Sequence, residues 1–124
     1  MSKSSWRSTV SKKDKSWGKE LMWNHPGGFT GKVLYIDKEE TTSFKYFIIK
    51  DESFMVLKGK LVITYGQQQS LKDPVNYPIK KEIFNPGDVL QVQSSCPYRL
   101  KALEDSVVIE ISSRSDSQCV HINT

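Results

Sequence analysis

From Lys32 onward the chain is a succession of short apolar runs, each cut off by a turn signal before it reaches the length of a helix. KVLYI (32–36), FKYFII (44–49), SFMVL (53–57), LVITY (61–65), EIF (82–84), VLQVQ (89–93), YRLKAL (98–103) and VVIEI (107–111) are rich in β-branched and aromatic residues. Between them stand Gly59, Gly66, Asn85-Pro86-Gly87-Asp88 and Glu104-Asp105, residue types that favour turns. No segment of about ten residues or more repeats its apolar positions at helical spacing, so a helix would have no face to bury. With a last strand expected at Cys119–Ile122, about eight or nine short strands predict an all-β sandwich or barrel. Closure also removes the exposed edges that so many strands would otherwise present.

Two connections carry more detail. Lys58-Gly59-Lys60 between SFMVL and LVITY reads as the turn of a hairpin. Lys50-Asp51-Glu52 is a polar corner between the runs at 44–49 and 53–57. If those runs pair, the corner sets Glu52 at the head of a strand whose alternate residues face inward. This corner is the best site candidate in the chain. QQQSLKDPVNYPIKK is polar with two prolines and reads as a surface loop.

The N-terminus differs in kind. Residues 1–14 are rich in Ser and Lys with a single Trp6, too little apolar area to offset the entropy of ordering, so a flexible arm is expected there and one domain over 15–124. WGKELMW (17–23) is short and mixed, with Trp17, Leu21 and Trp23 expected to pack on the body, and NHPGGFTG after it reads as loop and turn. The formal charge of +4 resides in this region, because residues 1–20 hold six basic and two acidic groups and the rest balances. The body therefore offers no basic stripe for a phosphate backbone, and nucleic acid is not an expected partner. With no apolar run near the ~20 residues of a membrane helix and no apolar centre of a signal peptide, a cytoplasmic protein is expected. Cys96 and Cys119 form no CxxC pair and are expected to be reduced.

A family becomes visible in the order of the motifs. Trp17-Gly18-Lys19-Glu20-Leu21, Gly31-Lys32-Val33-Leu34, Ser43-x-x-Tyr46, Lys50-Asp51-Glu52, Val56-Leu57-x-Gly59-Lys60, Pro86-Gly87-Asp88 and Pro97-Tyr98-Arg99-Leu100 follow one another in a pattern that resembles the cupin superfamily. Within it, the chain looks like the small single-domain cupins related to the C-terminal module of mannose-6-phosphate isomerases. The resemblance implies a double-stranded β-helix, or jelly-roll barrel, with a cavity for a metal or a sugar-type ligand. The usual pattern supplies two His one residue apart, then a Glu, then a further His from the second motif. Glu52 matches the Glu, but Lys45, Phe47 and Tyr98 stand at the His positions. Phe has no lone pair to offer and a fixed ammonium repels a divalent cation, so neither a metal nor another cofactor is expected.

Three functions follow from these substitutions. In the first, Lys45 and Glu52 form an internal ion pair, Tyr98 offers a hydroxyl, and the cavity formed with Phe47 binds a small polar ligand such as a sugar or sugar phosphate. In the second, the protein is a metal-independent sugar or nucleotide-sugar isomerase or epimerase using Tyr98 or Glu52 as acid and base. His25, in the Pro-Gly loop, and His121, near the C-terminus, are badly placed for that work. In the third, the role is structural: the family's habit of dimerising implies a homodimer, with Trp6, Trp17 and Trp23 as candidate interface anchors.

Overall fold

The computed structural model describes residues 2–113 and 118–122. Its strands are β1 (Ser11–Lys15), β2 (Gly18–His25), β3 (Phe29–Ile36), β4 (Lys45–Phe47), β5 (Glu52–Lys58), β6 (Leu61–Tyr65), β7 (Lys80–Phe84), β8 (Val89–Val92), β9 (Tyr98–Ala102), β10 (Ser106–Ser113) and β11 (Cys119–His121). They form two antiparallel sheets, one in the order β1-β2-β3-β10-β5-β8 and the other in the order β11-β4-β9-β6-β7. This is the all-β double-sheet architecture that the run pattern predicts, in the jelly-roll, double-stranded β-helix arrangement that the cupin resemblance implies. Among the described residues no helix is long and apolar enough to cross a membrane.

The hairpin expected at Lys58-Gly59-Lys60 does not form, and the runs flanking the Lys50-Asp51-Glu52 corner do not pair. SFMVL and LVITY lie in different sheets as β5 and β6, and so do the runs on either side of Lys50-Asp51-Glu52, which belong to β4 and β5. Gly59 makes the tight turn, at φ 95°, but the turn carries the chain from one sheet to the other. A side chain there would strike Ser106 and the Asp105 carbonyl, so the turn is packed against β10 rather than free in solvent. The N-terminal region also departs from expectation. SKKDK is β1, and GKELMWNH is β2, paired residue for residue with β3, so the sheet begins at Ser11 within the stretch read as an arm. A strand of charged residues suits the sheet's outer edge, where lysines discourage a further strand from adding.

The core lies between the sheets, and alternation decides which residues enter it. Ile36, Val56, Leu61, Ile63, Leu100, Ala102 and Val108 are essentially inaccessible to solvent. They come from five strands and close one half of the barrel with side chains, as expected of a small barrel. The other half is different. On β10 the inward set is Ser106, Val108, Glu110 and Ser112, and on β5 it is Glu52, Phe54 and Val56, so both strands pass from apolar to polar along the same wall. The barrel thus has a dry half and a polar half.

Candidate functional site

The polar half encloses a cavity of about 260 Å³. All four residues singled out from the sequence, Lys45, Phe47, Glu52 and Tyr98, line it. Lys45 and Phe47 lie two apart on β4, Glu52 opens β5, and Tyr98 opens β9 directly across from Lys45. The connections hold these strand ends in place. The Ser95 N–H donates to the Phe47 carbonyl at 2.6 Å, the Ser94 N–H donates to the Asp51 carboxylate at 2.8 Å, and the Asp51 N–H donates to the Ser113 hydroxyl at 3.0 Å. With Asp51 engaged outside, its neighbours Lys50 and Glu52, two residues apart, both turn inward.

The expected ion pair between Lys45 and Glu52 is replaced by another. Lys50 is 4% exposed, and its Nζ lies 3.6 Å from Glu52 Oε2 and 3.8 Å from Glu110 Oε2. The same ammonium stands 4.0 Å from the centre of the Phe47 ring, a cation–π distance. Glu52 also accepts a hydrogen bond from the Tyr98 hydroxyl at 2.7 Å, and the Tyr98 ring packs against Phe54 at 5.1 Å. Lys45 meanwhile has no carboxylate within 4 Å among the described residues. Its Nζ stands 5.4 Å from the centre of the Tyr98 ring. A second ionic group closes the wall, where Lys15 and Lys32 reach Glu20 at 3.5 and 3.4 Å.

Burial sets the protonation of these groups. Desolvation pushes the Glu110 carboxyl up to about 7, with the neighbouring Glu52 carboxylate adding to the rise and Lys32 and Lys50 working against it. Desolvation and the surrounding carboxylates raise the Tyr98 phenol well above its ordinary value, so it is a hydrogen-bond donor at neutral pH. Desolvation lowers Lys45, against the opposing pull of Glu52, Cys119 and Glu110. Glu110 Oε2 is buried without a hydrogen-bond partner among the described residues.

The residues do not fit a divalent metal. Three of the four positions carrying ligands in the cupin pattern hold Lys45, Phe47 and Tyr98, and the remaining carboxylate, Glu52, is taken by the Lys50 ammonium and the Tyr98 hydroxyl. Among the described residues no group of three or more His, Cys, Asp or Glu could hold a metal ion. The cationic place beside Glu52 is filled by a side chain of the chain itself.

Sequence reasoning placed Lys50 in the candidate corner without giving it a role, and missed Glu110 and the place of Cys119 and His121 in the cavity. His121, dismissed as too near the C-terminus, lines the cavity together with Cys119, because β11 pairs with β4 and sets His121 beside Lys45. The Cys119 thiol and His121 Nε2 are 3.8 Å apart. Cys96 and Cys119 are both free, and burial pushes the Cys96 thiol up. Of the aromatic anchors, Trp17 packs on the core and lines the cavity. Trp23 lies on the outside over Gly31, and Trp6 stacks on His25, which in turn stacks on Phe29.

No protein-family model matches the chain, and no curated protein matches it in sequence. Solved structures do match in fold. CapF bound to the inhibitor 3-isopropenyl-tropolone superposes with a TM-score of 0.77 at 15% identity over 93% of this chain and 34% of CapF. KdgF from Halomonas sp. gives 0.69 at 18% identity over 90% of this chain and 97% of KdgF. A point mutant of Bacillus subtilis oxalate decarboxylase gives 0.75 at 9% identity over 91% of this chain and 30% of that enzyme. The chain therefore spans about a third of CapF and of the decarboxylase and nearly all of KdgF. All three are cupin-fold proteins, and at these identities the likeness extends to the fold.

Proposed function

We propose, from a cupin fold whose metal-ligand positions carry other chemistry, that the chain is a metal-independent binding protein for a small hydroxylated ligand, a sugar or sugar phosphate. The observation that carries this reading is Glu110 Oε2, a buried carboxylate oxygen on the cavity wall that has the Lys50 ammonium 3.8 Å away but no hydrogen-bond partner among the described residues. A buried acceptor of this kind is costly unless a donor reaches it, and a ligand hydroxyl is such a donor. The cavity is somewhat smaller than the ~300–1,000 Å³ of drug-sized sites, which suits a single sugar ring. The narrower likeness to the sugar-isomerase module rests on the sequence motifs alone and agrees with this ligand class. The test is a titration of ¹⁵N-labelled protein with hexoses and hexose 6-phosphates, followed by amide shifts. Shifts should gather on β5, β9 and β10, and Glu110→Gln should weaken binding about tenfold, the effect of one charge-assisted hydrogen bond. Shifts spread evenly over the surface, or none, would remove this reading.

The protonation of Glu110 favours a second reading, an isomerase or epimerase on the same ligand class. A carboxyl near 7 is matched to moving a proton at neutral pH, which makes Glu110 a better acid or base than Tyr98, whose phenol is raised well above its ordinary value. Solvent-proton exchange at carbon in a bound sugar, lost in Glu110→Gln, would separate this enzyme from a binder.

Self-association is supported by the outer face of the larger sheet. Leu21, Val33, Ile109, Met55 and Val89 form one row across five strands, and Trp23 and Ile111 stand in the next. A sheet of this size presents roughly 600 Å² in projection, close to the ~800 Å² per partner of a stable interface. A second copy of this chain is the proposed occupant. Light scattering should give twice the mass of 14.2 kDa, and Ile109→Glu should halve it. A monomeric parent protein would dismiss the dimer.

A further inference from the structure

We infer that Lys45 captures small aldehydes or ketones inside the cavity as a reversible imine, an inference that rests on the cavity being the ligand site. Four lysines line that cavity, and three are held by carboxylates. Lys15 and Lys32 reach Glu20, and Lys50 reaches Glu52 and Glu110. Lys45 alone among these four has no carboxylate within 4 Å among the described residues, and its amine stands over the Tyr98 ring instead. An ammonium removed from water without a paired charge releases its proton more readily, and the neutral amine is the nucleophile. The direction of the Lys45 shift agrees, with desolvation outweighing Glu52, Cys119 and Glu110, and Lys32 adding to the lowering.

The chemistry closes without a further reactant. The Nζ lone pair forms a bond to the carbonyl carbon while the C=O π pair moves to oxygen, which takes up a proton to give the carbinolamine. The C–O bond then breaks, the two amine hydrogens leave with the oxygen as water, and the C=N bond remains. Glu110 lines the same cavity with a carboxyl protonated over part of the neutral range, a local source and sink for these protons. The open-chain form of a reducing sugar carries the required carbonyl, so the inference narrows the proposed ligand class to those that open to an aldehyde or ketone.

The full chain should be incubated with glyoxylate and, separately, propionaldehyde in the presence of cyanoborohydride, which reduces an imine to a stable secondary amine. Peptide mass spectrometry then gives the labelling rate of each lysine. Lys45 should be labelled at least tenfold faster than exposed Lys72, with a half-maximal rate below pH 10.5, while Lys50, in the same cavity but doubly paired, lags behind both. Labelling of Lys45 no faster than Lys72 overturns the inference, as does a half-maximal rate at or above pH 10.5. If sugars still shift the cavity amides in that case, the binding reading stands and Lys45 acts as a plain ammonium. Absence of both responses removes both. Glyoxylate outpacing propionaldehyde by tenfold or more would support imine capture of anionic carbonyls, and equal acceleration at Lys45 would support capture of uncharged ones.

Discussion

Substituting Glu110→Gln should make the protein more stable at alkaline pH and change its pH dependence in a calculable way. Glu110 is 4% exposed and its carboxyl is pushed from its ordinary value of 4.5 up to about 7. Well below pH 4.5 the group holds its proton in both folded and unfolded chains and contributes no pH dependence. Between about 4.5 and 7 the unfolded chain releases the proton while the folded chain keeps it. The folded state then binds more protons and stability falls as pH rises. Above about 7 both forms are ionised and the whole penalty stands. At about 1.4 kcal/mol per pH unit the penalty comes to about 3 kcal/mol. Gln keeps the shape and cannot ionise, so its stability relative to the parent should improve by about 3 kcal/mol between pH 4 and pH 8.5. Urea unfolding of both proteins at the two pH values measures that difference, and titrating groups that do not interact with Glu110 cancel in the comparison. A difference below about 1 kcal/mol would show that Glu110 is solvated or fully paired, and the argument from its burial would collapse.

Two further outcomes test the ion-pair network. Tyr98→Phe removes the donor at 2.7 Å from Glu52 and should cost about 1–3 kcal/mol in urea unfolding at pH 7, because the carboxylate oxygen stays buried; a cost near zero would mean Lys50 alone satisfies Glu52. Installing histidine at the three substituted positions, Lys45→His with Phe47→His and Tyr98→His, should not create a metal site while Lys50 remains. Adding Lys50→Met should allow Zn²⁺ to bind with three His and Glu52, and metal content after dialysis reports both variants. Stoichiometric zinc with Lys50 in place would contradict the idea that its ammonium fills the cationic position.

The all-β frame was legible because turn residues interrupt apolar runs at strand length, its jelly-roll form came from the resemblance in motif order, and a turn reads the same wherever its strands go. That sameness also explains the error at Gly59. The chain reverses there, but a reversal within a sheet and a crossing between sheets use similar residues, and only the pairing of β5 with β10 and β8 distinguishes them. Charge hid β1, since SKKDK at an exposed edge has no apolar alternation to display. In VVIEI the wholly apolar set is Val107, Ile109 and Ile111, yet the set that faces into the barrel is that of Val108 and Glu110, so alternation alone points away from Glu110. Lys50 was closer to view. Its separation of two residues from Glu52 puts both on one face, a relation that the label of a polar corner obscured. Lys45, Phe47, Glu52 and Tyr98 were found together because a motif fixed their order, whereas Glu110 and His121 join them only through tertiary pairing.

The position of Lys50 gives this cavity a property that an exchangeable ion could not confer. A cation carried on a side chain cannot be stripped by a chelator, swapped for a competing metal or starved by scarcity, and its stoichiometry is fixed at translation. Its affinity for the site is the folding equilibrium itself, since the ammonium reaches Glu52 and Glu110 when the barrel closes. The charge beside Glu52 is therefore governed by whether the protein is folded, and the supply of metal in its surroundings has no hold on it.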